Sequence, residues 1–345
     1  MDFSKKNIYV VLGFARSGTS AIARGLKALG IELSDSMNQG NEKWNAKGFW
    51  EDTEIVYNIN GKAFTLMDFA PYGIQSPSPE QQTDEKLKEI KLAAIELLKQ
   101  RFAETDYWAF KDPSTVKLLH FWQDIFKDLN INENYVIAIR NPLASARSYQ
   151  TLTGTSIEVG LLLWLMHVMQ AMKETCGKKR VIVSYELLVD DPMQELNRMG
   201  NHLKIPELSS TFDVIEYRLN FIDSKLDRHG CDEKELSLHS ANEIVPLCLR
   251  LYRLLMKLAK NEMQFEGYLF QIEWKEIQIE LEKVYPAYCY IDRLLKENAQ
   301  LKKKLRNTEK SILWKMLYPL RVVDQNLRAR RQKSRESKRL TKAYG

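Results

Sequence analysis

Residues 7–20 read NIYVVLGFARSGTS, and this stretch sets the fold. Ile8 to Leu12 is an apolar, β-branched run of the kind that forms a buried strand of a parallel sheet. Gly13 follows, then four residues, then Gly18, and Ala21 to Leu29 (AIARGLKAL) carries Leu26 and Leu29 with the propensity and spacing of a helix packed on that sheet. A loop feeding a helix N-terminus presents backbone N–H groups and a partial positive charge, so an anionic phosphate or sulfate belongs there. The spacing matches a nucleotide phosphate loop, but Thr19-Ser20 stands where that pattern has Lys followed by Ser or Thr. The cation is Arg16, inside the loop. A triphosphate needs the lysine at its β/γ oxygens, and Thr19 cannot supply it.

Outward from this unit the chain alternates strand and helix patterns. Tyr107–Phe110, Tyr135–Ile139 and Arg180–Ser184 read as further short buried strands. Asp84 to Phe102 has one apolar face of Leu87, Ile90, Ala94, Leu97 and Leu98, and Ile55, Ile59 and Phe64 line a helix within FWEDTEIVYNINGKAF. Residues 71–83 (PYGIQSPSPEQQT) read as a loop without a packing pattern. Asp190-Asp191-Pro192 caps a helix through Leu196, Met199 and Leu203, with proline where its missing N–H costs nothing. The expected fold is α/β, a parallel sheet flanked by helices, followed by a C-terminal helical extension. Ligands in such sheets lie beyond the carboxyl ends of the strands, where the 13–20 loop, Lys111 and Arg140 fall.

FARSGTS resembles the 5′-phosphosulfate loop of sulfotransferases, which move a sulfuryl group from 3′-phosphoadenosine 5′-phosphosulfate (PAPS). YVIAIRNPLASARSYQ resembles the second signature of that family, a strand ending in Arg, then Asn-Pro, then Ser eight positions after the Arg. FKDPSTVKLLHFW resembles the Lys-Asp-Pro segment of tyrosylprotein and many bacterial sulfotransferases, and RVIVSYELLVDDPMQELNRMGNHLKI their Tyr-Glu-x-Leu and Asp-Pro segment. The resemblance spans about residues 7–235 and implies a P-loop-like core that binds PAPS without a metal. It assigns Arg16, Ser17, Gly18, Thr19 and Ser20 to the 5′-phosphosulfate, and Arg140 and Ser148 to the 3′-phosphate. Lys111 is implied to stabilise the departing phosphate and Asp112 to be structural, while Tyr185 and Glu186 organise the site. Glu51, in GFWEDTE, is the candidate general base, with a helix-start carboxylate as the alternative. Lys225 and Arg228, in NFIDSKLDRHG, are candidates for closing over the cofactor. No Thr-His base segment and no basic Gly-x-x-Gly-x-x-Lys lid motif occur, and His120, His167 and His202 sit in helical patterns as core or surface residues.

The chain has 345 residues, 44% hydrophobic and 28% charged, enough for one domain of about 250 residues plus appendages. No stretch approaches the ~20 apolar residues of a membrane span, and MDFSKKN runs straight into the first strand. Cys176, Cys231, Cys248 and Cys289 are dispersed without metal-ligand spacing, which suits a reducing compartment. Residues 301–345 hold 15 Lys/Arg against 3 Asp/Glu, so the net charge of +6 belongs to a tail rather than to a nucleic-acid-binding core.

Ile291, Leu294, Asn298, Leu301 and Leu305 repeat at 3-4-3-4 spacing, a short coiled-coil seam with a polar core position, with an ordinary helix packed on the domain as the alternative. SILWKMLYPLR beyond it resembles a segment common after coiled coils in bacterial glycosyltransferases of cell-surface polysaccharide assembly. The expected division is a sulfotransferase domain over 1–235, a helical extension over 236–290, and a coiled coil with a basic amphipathic tail over 291–345. The expected acceptor is a hydroxyl of a bacterial surface glycan or its lipid-linked precursor, and the expected location is the cytoplasm. Homodimerisation through 291–305 and contact of 312–342 with the anionic inner face of the membrane complete the reading. Two alternatives stay open: a P-loop kinase that lost its lysine, and a non-catalytic nucleotide-binding scaffold.

Overall fold

The structure, a computed structural model, describes residues 2–38, 48–206, 211–222, 233–238 and 244–311. The chain divides into two compact units, Met1–Pro286 and Ala287–Gly345. In the first, four strands, β1 (Asn7–Leu12), β2 (Tyr107–Lys111), β3 (Asn132–Ile139) and β4 (Lys179–Ser184), form one all-parallel sheet in the order β2-β1-β3-β4. The chain leaves β1 toward one side and later crosses back to its other side, so the order reverses at β1. In a parallel sheet that reversal opens a crevice beyond the carboxyl ends of the two adjoining strands. The register pairs Val11 with Lys111 on one side and Leu12 with Ile137 on the other, which brings the strand ends to one edge.

Burial of both sheet faces explains why the strands read as unbroken apolar runs. On one face Tyr9, Val11, Val136, Ala138, Val181 and Val183 pack against Ile22, Ala23 and Leu26 of the helix Thr19–Ala28 and Leu196, Met199 and Leu203 of the helix Pro192–Leu203. On the other side the helix Ile157–Glu174 contacts β3, and its stretch from Gly160 to Met169 is buried throughout. Such an all-round apolar helix belongs in a core. The helix Ile244–Ala259 packs on both β4 and Ile157–Glu174, burying Leu247, Leu251, Leu254 and Leu258. Among the described residues no single helix is long and apolar enough to cross a membrane.

Two segments depart from their sequence reading. Residues 71–83 hold a one-turn helix, Pro79–Gln82, closed by a reciprocal Ser78–Gln81 capping box, with Ile74 and Gln82 buried. Gln82 fits because its side-chain amide donates to the Pro77 carbonyl and its oxygen accepts from the Phe121 N–H. The helix after residue 53 begins as a π-helical stretch, Glu54–Asn60, and continues as an α-helix over Gly61–Met67. Ile55, Ile59 and Phe64 are buried along it, and Asn60 turns inward with them.

The long helix Tyr268–Lys310 carries the repeat of Ile291 to Leu305. Leu294, Leu301 and Leu305 are exposed on it. The tail segment 312–342 lies outside the described residues.

Candidate active site

The loop after β1 takes its shape from backbone conformations that side chains rarely allow. Gly18 has φ +84°, and a Cβ there would stand 2.4 Å from the Tyr185 ring. Gly13 has φ +135°, with a Cβ position 2.6 Å from the Ala138 carbonyl of β3. Both glycines are therefore required by packing as well as by torsion. Arg16 is itself left-handed at φ 70°, a conformation that costs a non-glycine residue about 1–3 kcal/mol and clusters at ligand sites. The helix Thr19–Ala28 starts with no side-chain cap and no acidic residue in its first turn. Its N-terminal donors and dipole thus face the loop, and among the described residues no acidic side chain stands in its first turn, a setting that suits a phosphate or sulfate.

Arg140 and Ser148 come from the segment after β3. Asn141 caps the helix Pro142–Thr153 by accepting from the Leu143 and Ala144 N–H groups, with Pro142 at the first position. The Arg16 Nε donates to the Ser148 Oγ at 3.0 Å, and an Arg140 Nη donates to the Arg16 carbonyl at 3.1 Å. Two guanidinium groups are thus gathered around one loop. Burial, and next the charge of Arg140, depress the Arg16 pKa. Like charges forced together in a low dielectric define a place for an anion. The Arg140 guanidinium also lies over the Tyr185 ring at 4.7 Å, and Glu186 accepts from the Asn141 N–H at 2.7 Å and from the Ser184 hydroxyl at 2.7 Å. The start of the segment after β4 therefore holds the turn after β3.

At its other end the loop meets Lys111 and Glu51. Lys111 ends β2, is buried, and its Nζ contacts Glu51 Oε1 at 2.5 Å and donates to the Phe49 carbonyl at 3.0 Å. The Ser20 hydroxyl donates to the same Phe49 carbonyl at 3.0 Å, and Glu51 Oε2 accepts from Asn38 at 3.3 Å. A cation, a carboxylate and the last loop hydroxyl therefore share one corner. Asp112 lies behind them, fully buried, accepting from the Ser114 N–H and hydroxyl and from Asn60. Burial, then the Glu51 charge, raise its pKa. Asn60 also accepts from the Trp122 indole at 2.9 Å and donates to Thr115.

The structure thus brings Arg16, Ser17, Gly18, Thr19, Ser20, Lys111, Glu51, Arg140 and Ser148 to one edge of the sheet. Lys225 and Arg228 lie outside the described residues. Of the histidines, His167 is buried and donates from Nδ1 to the Leu163 carbonyl, with burial pressing its pKa well down. His120 instead pairs with Glu174 at 2.6 Å.

Several contributors escaped the sequence reading. Ser145 lies within hydrogen-bonding distance of Ser17, 3.2 Å between hydroxyl oxygens, and its position one helical turn before Ser148 was a readable signal. The Phe49 carbonyl is a backbone group and carries no sequence signal. Tyr72 stacks on His167, and burial followed by the charges of Asp112 and Glu51 raises its phenol pKa well above the usual value. With Phe14 and Tyr149 it gives the carboxylate corner an aromatic wall. A groove of about 1160 Å³ opens at the opposite end of β4, lined by Lys179, Arg198, Asn261 and Phe265, and none of the site residues lines it.

Comparisons with known proteins bear on the family of the chain. No curated protein matches the chain. The sulfotransferase domain from the Synechococcus PCC 7002 olefin synthase aligns over 79% of this chain and 93% of its own, at 17% identity and a TM-score of 0.39. The sulfotransferase domain from the curacin biosynthetic pathway aligns over 80% and 98%, at 16% identity and a TM-score of 0.39. A family model described as "Sulfotransferase family" matches residues 9–209, a span that includes the loop after β1, the helix Thr19–Ala28, Lys111, Arg140 and Ser148. With more than half of its length inside that match, the chain belongs to the sulfotransferase family and is a sulfotransferase.

Proposed function

We propose that this sulfotransferase takes its sulfuryl group from PAPS and delivers it to a hydroxyl of a carbohydrate, a bacterial cell-surface glycan or its lipid-linked precursor. The observation that carries the donor assignment is the Arg16–Ser148 hydrogen bond at 3.0 Å, with Arg140 on the Arg16 carbonyl. It couples the loop that suits a 5′-phosphosulfate to the residues that suit a 3′-phosphate, so one ligand bearing both groups is read by one connected set of donors. Arg140 suits the 3′-phosphate because a guanidinium presents a planar fork to two oxygens. The uncapped helix N-terminus and Arg16 would hold the 5′ end.

PAPS when bound supplies an activated sulfuryl group whose departure leaves charge on a phosphate. A buried Lys111 ammonium is placed to stabilise that charge, as positioned cations in dry sites do. Glu51 keeps this ammonium in place in the resting site and receives the proton of the acceptor hydroxyl when the acceptor enters. Asp112, with three hydrogen-bond donors around it, holds the turn after β2 and leaves the chemistry to its neighbours. The carbohydrate acceptor rests on the likeness of the residues after 310 to segments of surface-polysaccharide glycosyltransferases. Work on such an acceptor suits a cytoplasmic protein whose basic tail lies against the inner face of the membrane.

Calorimetry with adenosine 3′,5′-bisphosphate, ATP and AMP tests the donor. The bisphosphate should bind at least tenfold tighter than AMP, and Arg140→Ala should remove most of that difference, a loss of about 1.5–3 kcal/mol for a charged hydrogen bond. Equal or tighter binding of ATP would sink the reading and revive a kinase-like one. Glu51→Gln should lower kcat by about 10²–10⁴ while donor affinity stays within a few-fold. Mass spectrometry of surface polysaccharide made with and without the gene tests the acceptor, and an unchanged sulfate content would refute it.

A further inference from the structure

The helix Tyr268–Lys310 runs for about twelve turns, and its last part lies in the second compact unit. Setting Ile291 at position a of a heptad puts Asn298 and Leu305 at a as well, and Leu294, Leu301 and Thr308 at d. Leu294, Leu301 and Leu305 are 45%, 64% and 56% exposed, so this seam is left open to water. Tyr290 and Leu295, at the flanking g and e positions, are exposed too and widen the apolar strip at its start.

The flanking charges say what covers the seam. In a parallel, in-register pair of helices, each g residue faces the e residue five positions later on the partner. Here Glu297 at g would face Lys302 at e, and Lys304 at g would face Glu309 at e. Tyr290 at g would meet Leu295 at e, apolar against apolar. All three cross pairs are complementary, and each occurs twice by symmetry. The central a position is Asn298, which in a parallel dimer meets its own copy and hydrogen-bonds to it, whereas a shifted register would leave it against leucine. All four charged residues and Asn298 are exposed and available for this pairing.

We infer that residues 291–309 pair with the same segment of a second copy of this chain as a parallel, in-register, two-stranded coiled coil. The seam has few core layers and one is polar, so the association is reversible and concentration-dependent rather than permanent.

Analytical ultracentrifugation of the full chain from about 1 to 100 µM tests the inference, since a short seam should dissociate within that range. A monomer–dimer equilibrium is expected, and Leu294→Glu with Leu301→Glu should leave only monomer while the urea midpoint and adenosine 3′,5′-bisphosphate affinity stay unchanged. Lys302→Glu should weaken the dimer about tenfold through two repulsive contacts, and adding Glu297→Lys to the same chain should restore it. In an antiparallel pair e faces e and g faces g, so the second change would not restore it. A chain monomeric at 100 µM, a trimer, a dimer indifferent to the leucine changes, or a failed restoration would each overturn the proposal.

Discussion

At the scale of single residues, the site is built from conformations and charges that are costly unless something is gained at the ligand. Gly18 is the clearest case, with φ +84° and the Tyr185 ring where a Cβ would stand. Gly18→Ala should cost about 1–3 kcal/mol of stability from backbone strain alone, read from urea unfolding. It should also push Tyr185 off the Arg140 guanidinium it now lies against, so affinity for adenosine 3′,5′-bisphosphate should fall at least tenfold. Wild-type affinity in a folded Ala variant would show that the loop does not depend on that contact. Arg16 carries the same message in electrostatic form: a guanidinium whose pKa is pushed down by burial and by Arg140 is relieved when an anion joins it.

Between elements, a pH-dependent tie joins the helix Leu119–Leu129 to the helix Ile157–Glu174. His120 Nε2 meets Glu174 Oε2 at 2.6 Å, and that hydrogen bond is the main reason the His120 pKa is raised above its ordinary 6.5. A raised folded-state pKa means that protonation favours the folded form. The contribution is therefore complete below pH 6.5 and is lost as pH rises through the raised value. Urea unfolding at roughly pH 5.5 and 8.5 should show this loss, and His120→Gln should flatten that part of the profile without changing it at higher pH. An identical pH dependence in the variant would assign the effect to other groups. The helix Pro192–Leu203 shows the complementary principle, since its Asp191-Pro192 start was read from sequence because both residues act locally.

For the molecule as a whole, the decisive feature is the reversal of strand order at β1, which makes the crevice where the β1 loop and Arg140 meet. A buried polar network ties that arrangement together from three distant segments: Asn60 of the π-helical stretch, Asp112 and Thr115 after β2, and Trp122 of the following helix. Asn60→Leu would take the acceptor from the Trp122 indole and the donor from Thr115, and would remove one of the three donors around Asp112; each buried group left unsatisfied costs about 1–3 kcal/mol. The expected loss is about 2–4 kcal/mol in urea unfolding, together with lower turnover as the turn carrying Lys111 loosens. A variant as stable as wild type would show that water replaces the amide without penalty.

Sequence alone determined the parallel α/β class, the strand-loop-helix unit of residues 7–28 and the Asp191-Pro192 cap, each written in a run of apolar residues, a glycine spacing or a capping side chain that acts through neighbours along the chain. The segments that carry Lys111, Arg140 and Ser148 were legible through their resemblance to sulfotransferase motifs. The one-turn helix at Pro79–Gln82 and the π-helical entry to Asn60 were missed because tertiary contacts of Gln82 and Asn60, not periodicity, stabilise them. Only the tertiary structure decided that Arg16 reaches Ser148 across 132 positions, that Lys111 closes on Glu51 across 60, and that the Phe49 carbonyl joins Ser20 to Lys111. Those pairings follow from which strand ends lie side by side, and strand order is chosen by the burial of both sheet faces at once, a property of the whole chain that no single segment contains.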